Sequence, residues 1–556
     1  MPLSGLKRRF SNLVIKNWKK FKKVWLIGLA AVISLSLFAG CEQTTPNADD
    51  TATAITLKVG STKPFKTTNR FSDYWYGVLT NLTTHDSLIR LGDDMSIKPW
   101  LAKSWTVSDD AKTFVFTIAD NAYWHDGTKL TAEDVAFSVE YYRDYIASAS
   151  WMKDVIADVS FSGDTVTLSL SRPYGNLLTE FMTYSIVPKH IWQDVTDPLK
   201  YNQTDMTVGS GPFVFESFDL SSGKFILKAN EDYFQGKPTI DRLEVDIYQN
   251  MDALVLSLAK GDIDTWWDYS GTFPYTSIPA LIKSSKVDFE TSTYLGVPSA
   301  LGFNLEDGPA SDINVRKAIA AAINYQQIIE YFYAGYGSVP TTGFVPPTHP
   351  NFNADLPSLA YNPAEANALL DAAGLLDTDG DGIREDSSGQ NISLRLLARS
   401  DQSTNMRLAE ILRDALSEIG LGVEIRALDL SAWASVKDAL DYDMVLFGAT
   451  PWGTLMHAGH GSGYFDSRRT GQGVLHNLDA AEYLAACDAR LATADPAQQA
   501  VLDLRIQELT AEYLPGIALA WTESVYPYRQ GWSGWVIDSI YGGVFNGFSF
   551  LSVQSP

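Results

Sequence analysis

Apolar residues recur along this chain at two spacings. Phe114, Phe116 and Ile118 are apolar at every second position, as are Val166, Leu168 and Leu170 and then Leu243, Val245 and Ile247. That period predicts strands with one buried face. Between them the spacing changes to three and four. Thr131-Ala132-Glu133-Asp134 has the form of a capping box, and Val135, Val139 and Tyr142 then fall on one helical face. A second helix is predicted from Met251 to Lys260, stopped by Gly261, and a third from Asn314 to Tyr333, with Val315, Ile319 and Ile323 four apart. Mixed elements without a repeat period predict layered α/β lobes.

One stretch follows neither period. Residues 1–23 carry Lys7, Arg8, Arg9, Lys16, Lys19, Lys20, Lys22 and Lys23 and no acid, and an apolar run from Val24 to Ala39 follows. A basic flank stays cytosolic while an apolar stretch of this length enters the translocon, so the segment reads as an export leader. Its end, Leu37-Phe38-Ala39-Gly40-Cys41, resembles the lipobox of bacterial lipoproteins, where small residues admit a membrane-embedded peptidase and the thiol takes the lipid. That resemblance implies a signal peptide over 1–40 and lipidation at Cys41; a signal anchor with an incidental cysteine is the alternative. Residues 41–54, rich in Thr, Asn, Asp and Ala, read as a solvated tether.

About 515 residues remain after cleavage, too many for one core, so at least two lobes are expected. Removing eight basic residues from a chain of net charge −23 leaves about −31, which argues against a nucleic-acid partner. With Cys41 lipidated, only Cys487 remains. No intramolecular disulfide or zinc-ribbon spacing is available, and Cys487 reads as a small buried apolar residue.

Residues 105–140, WTVSDDAKTFVFTIADNAYWHDGTKLTAEDVAFSVE, resemble the signature region of the extracellular solute-binding protein family 5, the oligopeptide, dipeptide and nickel binders of ABC importers. Further blocks agree in order: Gly209-Ser210-Gly211-Pro212-Phe213, Ala229-Asn230-Glu231-Asp232-Tyr233-Phe234, Leu258-Ala259-Lys260-Gly261-Asp262, Asn314-Val315-Arg316-Lys317-Ala318 and Tyr361-Asn362-Pro363-Ala364-Glu365-Ala366. The resemblance implies an α/β, two-lobed periplasmic-binding-protein type II fold (Venus flytrap) with an extra subdomain in lobe I. It implies lobe I from 55–90, 200–297 and 520–556, a subdomain at 91–199, and lobe II at 298–519. The implied function is a monomeric, non-enzymatic receptor, exported and held by lipid on the outer face of the cytoplasmic membrane or in the periplasm. It would pass a small solute to ABC permease and ATPase subunits and require no cofactor.

Aromatic side chains suit a cleft because they offer large area at low entropic cost. From the segments that border the cleft in the resembled family, the candidates are Trp267, Tyr269, Tyr294, Trp452 and Trp521. Peptide-binding members commonly carry an Asp after the strand that ends near Phe447, but Gly448 to Tyr464 contains no acid. It holds Trp452, His457, His460 and Tyr464 instead. Two histidines three apart suit a transition metal or a metal chelate, as in nickel-binding relatives; polar loop residues that bond an organic solute are the other reading.

Asp377, Asp379, Asp381, Ile383 and Glu385 occupy positions 1, 3, 5, 7 and 9 of an EF-hand-like loop, with glycine at 6 and Ser388 where the bidentate glutamate belongs. A structural calcium site and a plain Asp/Gly turn both stand. His125, in a strand-turn-helix corner, reads as a satisfied structural donor. No G-x-S-x-G, H-E-x-x-H, Walker loop or G-x-G-x-x-G after a strand is present, and Ser150-x-x-Lys153 lacks its partner motifs. A lipid-anchored hydrolase is the alternative from another class.

Overall fold

Strand β1 (Thr56–Ser61) buries Leu57 and Val59, and helix α1 (Tyr74–Thr83) is capped by Asp73, whose carboxylate accepts from the Tyr76 amide at 3.1 Å. Strands β2 (Ala102–Val107) and β3 (Thr113–Ile118), helix α2 (Ala132–Tyr145) and strands β4 (Ile156–Ser162) and β5 (Thr165–Leu170) form a unit with sheet order β2-β3-β5-β4. The period-two residues Phe114, Phe116, Ile118, Val166, Leu168 and Leu170 are all buried there, beneath Val135, Val139 and Tyr142 of α2. At the helix start Asp134 accepts from the Thr131 amide at 2.9 Å, so the capping box forms. Helix α3 (Leu177–Phe181) follows β5.

The next strands build a larger sheet: β6 (Phe213–Asp219), β7 (Lys224–Ala229), β8 (Arg242–Ile247), then helix α4 (Met251–Lys260), β9 (Thr265–Trp266) and β10 (Val287–Thr293). The chain then enters a second sheet with β11 (Val297–Phe303), β12 (Ser393–Arg399), β13 (Gly422–Leu428), β14 (Met444–Ala449) and β15 (Gly516–Ala518), and returns to the first with β16 (Trp521–Arg529). The first sheet has eight strands, in the order β10-β16-β9-β1-β8-β7-β6 with Gly337–Ser338 added to β16; β1 runs parallel to β8 and β9. The second has the order β13-β12-β14-β11-β15, with β12 parallel to both β13 and β14. The chain therefore crosses between the sheets after β10 and again after β15. In this computed structural model the described residues are 54–269, 272–293, 296–451, 464–468, 475–538, 540 and 542–556, and residues 54–556 form one unit.

Helix α4 runs over the predicted residues and stops at Gly261, which takes the left-handed conformation at φ +87°. The predicted helix from Asn314 to Tyr333 is instead two, α5 (Ile313–Ala322) and α6 (Tyr325–Tyr333); helix α7 (Ser403–Ser417) follows β12. Asn324 breaks the predicted helix: its side chain accepts from the Gln327 amide at 3.1 Å and starts a new helix, a local bond that competes with continuation. Arg316, 4% exposed, is scaffold, donating to the carbonyls of Ala310, Ser311 and Tyr513.

Two networks tie the small sheet to the first lobe. Asp86, fully buried, accepts from Trp100 Nε1, Tyr233 Oη and Ser210 Oγ, each at 2.8 Å. His125 lies 3.0 Å through Nε2 from the Gly211 carbonyl and accepts the Gly209 amide on Nδ1 at 3.2 Å, as expected of a structural histidine. Gly209 and Gly211 are needed for close approach: a Cβ on Gly209 would stand 1.8 Å from the Thr84 carbonyl oxygen. Cys487 is fully buried, and burial pushes its thiol up to about 12.

His349, 2% exposed, accepts the Asn351 amide at 3.1 Å; burial, and then the nearby Arg490 charge, push its pKa down to about 3 from 6.5. Because the folded value lies below the unfolded one, the unfolded chain takes up the proton first, and this group's contribution to stability is lost as pH falls below 6.5. His349→Gln removes the titration. The variant is expected to be less stable than the parent at neutral pH, with the gap closing by about 1.4 kcal/mol per pH unit in mildly acid solution. Urea denaturation at neutral and mildly acid pH checks this; a pH-independent gap contradicts it.

Candidate functional site

A cavity of about 690 Å³ lies between the two large sheets. Trp75 and Thr272 line it from the side of the first sheet. From the second, Val297 and Pro298 of β11, Phe447 and Gly448 of β14 and the helix α8 (Leu430–Asp438) form the opposite wall. Helix α8 starts at Asp429, whose carboxylate accepts from the Ala432 amide at 3.0 Å. Leu430, Trp433, Ala434 and Lys437, spaced i, i+3, i+4 and i+7, all line the cavity, so a single face of this helix is turned to it.

The cavity wall mixes apolar side chains with polar ones, Gln402 and Asn405 among them, and with paired charges. Lys437 is buried, with its ammonium 2.6 Å from Asp438. Arg399 holds Asp401 through Nε at 3.0 Å. On the facing wall Lys63 stands 4.1 Å from the centre of the Trp75 ring and pairs with Asp268. The Trp433 indole Nε1 is buried without a hydrogen-bond partner among the described residues. A buried donor left in this state costs about 1–3 kcal/mol.

The sequence candidates distribute unevenly. Tyr269 bonds to Thr450, which lines the cavity, and to Tyr74, so it links the two walls; burial holds its phenol above the usual range. Trp267 (1% exposed) packs between Phe65 and Phe545, Tyr464 (1%) against Phe344, and Trp521 (3%) against Phe352. These three belong to the packed cores of the lobes, not to the walls of this cavity. Tyr294, Trp452, His457, His460 and Cys41 lie outside the described residues. Trp75, Trp433 and Lys437 were missed; for the latter two the signal was the three-four spacing after Asp429.

In the acidic loop, ligand atoms of Asp377, Asp379 and Glu385 lie within 4.8 Å of one another. Their carboxylates accept loop amides: Asp377 from Gly380 and Gly382, Asp379 from Asp381, and Glu385 from Thr378. The Asp381 carboxylate accepts from Ile383 N at 2.7 Å and from Asn391 at 2.8 Å. Among the described residues no helix is long and apolar enough to cross a membrane.

The sequence model of the bacterial extracellular solute-binding proteins, family 5 Middle, matches residues 96–469. The oligopeptide-binding protein AppA of Bacillus subtilis (strain 168) is 28% identical over 375 residues, 65% of this chain and 67% of that protein. The nickel-binding periplasmic protein of Escherichia coli (strain K12) is 26% identical over 385 residues, 68% of this chain and 71% of that protein. The solved structure of the Bacillus subtilis AppA in complex with a nonapeptide superposes with a TM-score of 0.70 at 24% identity, covering 90% of this chain and 99% of that one.

Proposed function

The chain belongs to the bacterial extracellular solute-binding proteins, family 5, and from that premise we propose that it is the receptor of an ABC importer, taking a peptide-like solute between its lobes and delivering it to a membrane permease. The observation that carries the reading is the cavity of about 690 Å³, walled by Trp75 and Thr272 on one side and by β11, β14 and α8 on the other. Its mixed wall, apolar side chains interleaved with Arg399, Gln402, Asn405 and Lys437, suits a small organic guest that carries polar groups. Occupancy favours closure only through contacts made in the closed form, and the permease reads closure.

We assign lobe I to 55–90, 200–297 and 520–556, its subdomain to 91–199, and lobe II to 298–519. The receptor acts as a monomer, is lipidated at Cys41, leaves its solute unchanged and works outside the cytoplasm. A second reading, a nickel or other metal chelate as cargo, draws on the acid-free segment from Gly448 to Tyr464 with His457 and His460 and on likeness to a nickel-binding relative. A thermal-shift panel of di- to nonapeptides, nickel with and without free histidine, and oligosaccharides separates the two. Peptides alone raising the unfolding midpoint supports the first reading, nickel chelates alone the second, and oligosaccharides alone contradicts both.

We further propose that the Asp377 to Glu385 loop holds a structural calcium ion. The full chain is expected to gain a few degrees in unfolding midpoint on adding calcium in about hundredfold excess over the dissociation constant. Asp379→Ala is expected to lose the gain; an equal gain in that variant assigns the calcium elsewhere.

A further inference from the structure

A contact between the lobes lies away from the cavity, where the turn between β5 and α3 meets the turn between helices α9 (Ala481–Leu491) and α10 (Pro496–Tyr513). The Gly175 amide donates to the Leu491 carbonyl at 2.7 Å. Its carbonyl accepts from Gln499 Nε2 at 3.2 Å, and the same amide group donates to the Thr493 carbonyl at 2.8 Å. Beside it Arg490 Nη1 donates to Asn176 Oδ1 at 3.2 Å, between two side chains that are each 1% exposed.

Each half of this contact is held by its own lobe. Tyr174 stacks on Trp151 at 5.3 Å, and its amide donates to the Ala111 carbonyl at 3.2 Å, which fixes the turn on the small sheet. That sheet is bound in turn to the first lobe through Asp86 and His125. On the other side Arg490 Nε pairs with buried Asp503 Oδ1 at 2.7 Å, and Asn351 donates to Asp503 Oδ2 at 2.7 Å. Two prebuilt surfaces therefore meet, one carried by the small sheet and one by the second lobe. Gly175 allows the meeting: a Cβ there would stand 1.8 Å from the Thr493 carbonyl oxygen and 2.8 Å from its carbon, and backbone does not yield to that overlap.

We propose that Gly175 and the Arg490–Gln499 turn form a latch that engages only when the lobes close, so that residues outside the solute cavity set how often the empty receptor shuts. The inference rests on the two-lobed clamp reading. A contact present in one state and absent in the other shifts the equilibrium by its whole worth. Three hydrogen bonds lost together correspond to about a tenfold or larger fall in the closed-to-open ratio.

The test uses the full chain with Cys41→Ser, carrying dyes at D164C in the small sheet and D414C in the second lobe, both exposed; native Cys487 is buried. Single-molecule energy transfer is recorded without solute. Gly175→Val is expected to lower the short-distance population about tenfold and Gln499→Ala about threefold. If Gly175→Val fails to fold, Gln499→Ala carries the test alone, since it truncates a half-buried side chain without adding bulk. Two distances with a ratio unchanged by the folded variants overturn the latch and leave the clamp standing. A single distance in the parent, also with the solute panel added, overturns both.

Discussion

Ala434→Trp is expected to abolish the solute-dependent rise in unfolding midpoint while leaving the midpoint of the empty chain unchanged. Ala434 lies in the middle of the α8 face that lines the cavity, next to Trp433 and one turn from Lys437. An indole at that position projects into the space a guest would fill, and helix α8 otherwise keeps its cap at Asp429 and its packing. The loss of affinity is expected to be at least about a hundredfold, because a guest that cannot enter forfeits most of its buried contact. Trp433→Ala tests the same wall by removal and is expected to cost about tenfold, the order found for an aromatic anchor. Unchanged affinity in both variants would move the solute site away from α8.

Asp86→Ala is expected to destabilise the chain by about 3–5 kcal/mol, since three buried donors lose one acceptor at once. Trp100, Ser210 and Tyr233 come from three separate segments, and all three converge on this carboxylate at 2.8 Å. Burial raises the Asp86 pKa, while Arg90 and the three donors oppose that rise. Asp86→Asn keeps the shape and one carbonyl oxygen, so it is expected to lose less. Urea denaturation compares the three chains; equal midpoints for parent and Asp86→Ala would remove this network from the scaffold.

The strands of the small sheet were legible because their buried side is one-faced: Phe114 to Ile118 and Val166 to Leu170 alternate without exception. Helix α4 was legible because Gly261 ends it. The break at Asn324 was visible in principle as a capping residue, but Val315, Ile319 and Ile323 kept the apolar spacing across it. At the site the difficulty was different. Aromatic identity does not distinguish a core from a cleft, and Trp267 and Tyr464 are held inside the lobes by neighbours distant in sequence, Phe545 and Phe344. Trp433 sits on a short helix whose apolar face is only partly covered, and its partner wall, Trp75, lies more than three hundred residues away. Pairings of that separation depend on how the two sheets meet. The latch has the same character: Gly175 has no local reason to be glycine, and its constraint comes from the Thr493 carbonyl.

Native mass spectrometry of the freshly purified chain, followed by heat release of whatever it carries, tests the clamp most directly. A single small molecule bound per chain and released with its mass unaltered is the predicted result. Release of a molecule that the protein has cleaved or converted would contradict it.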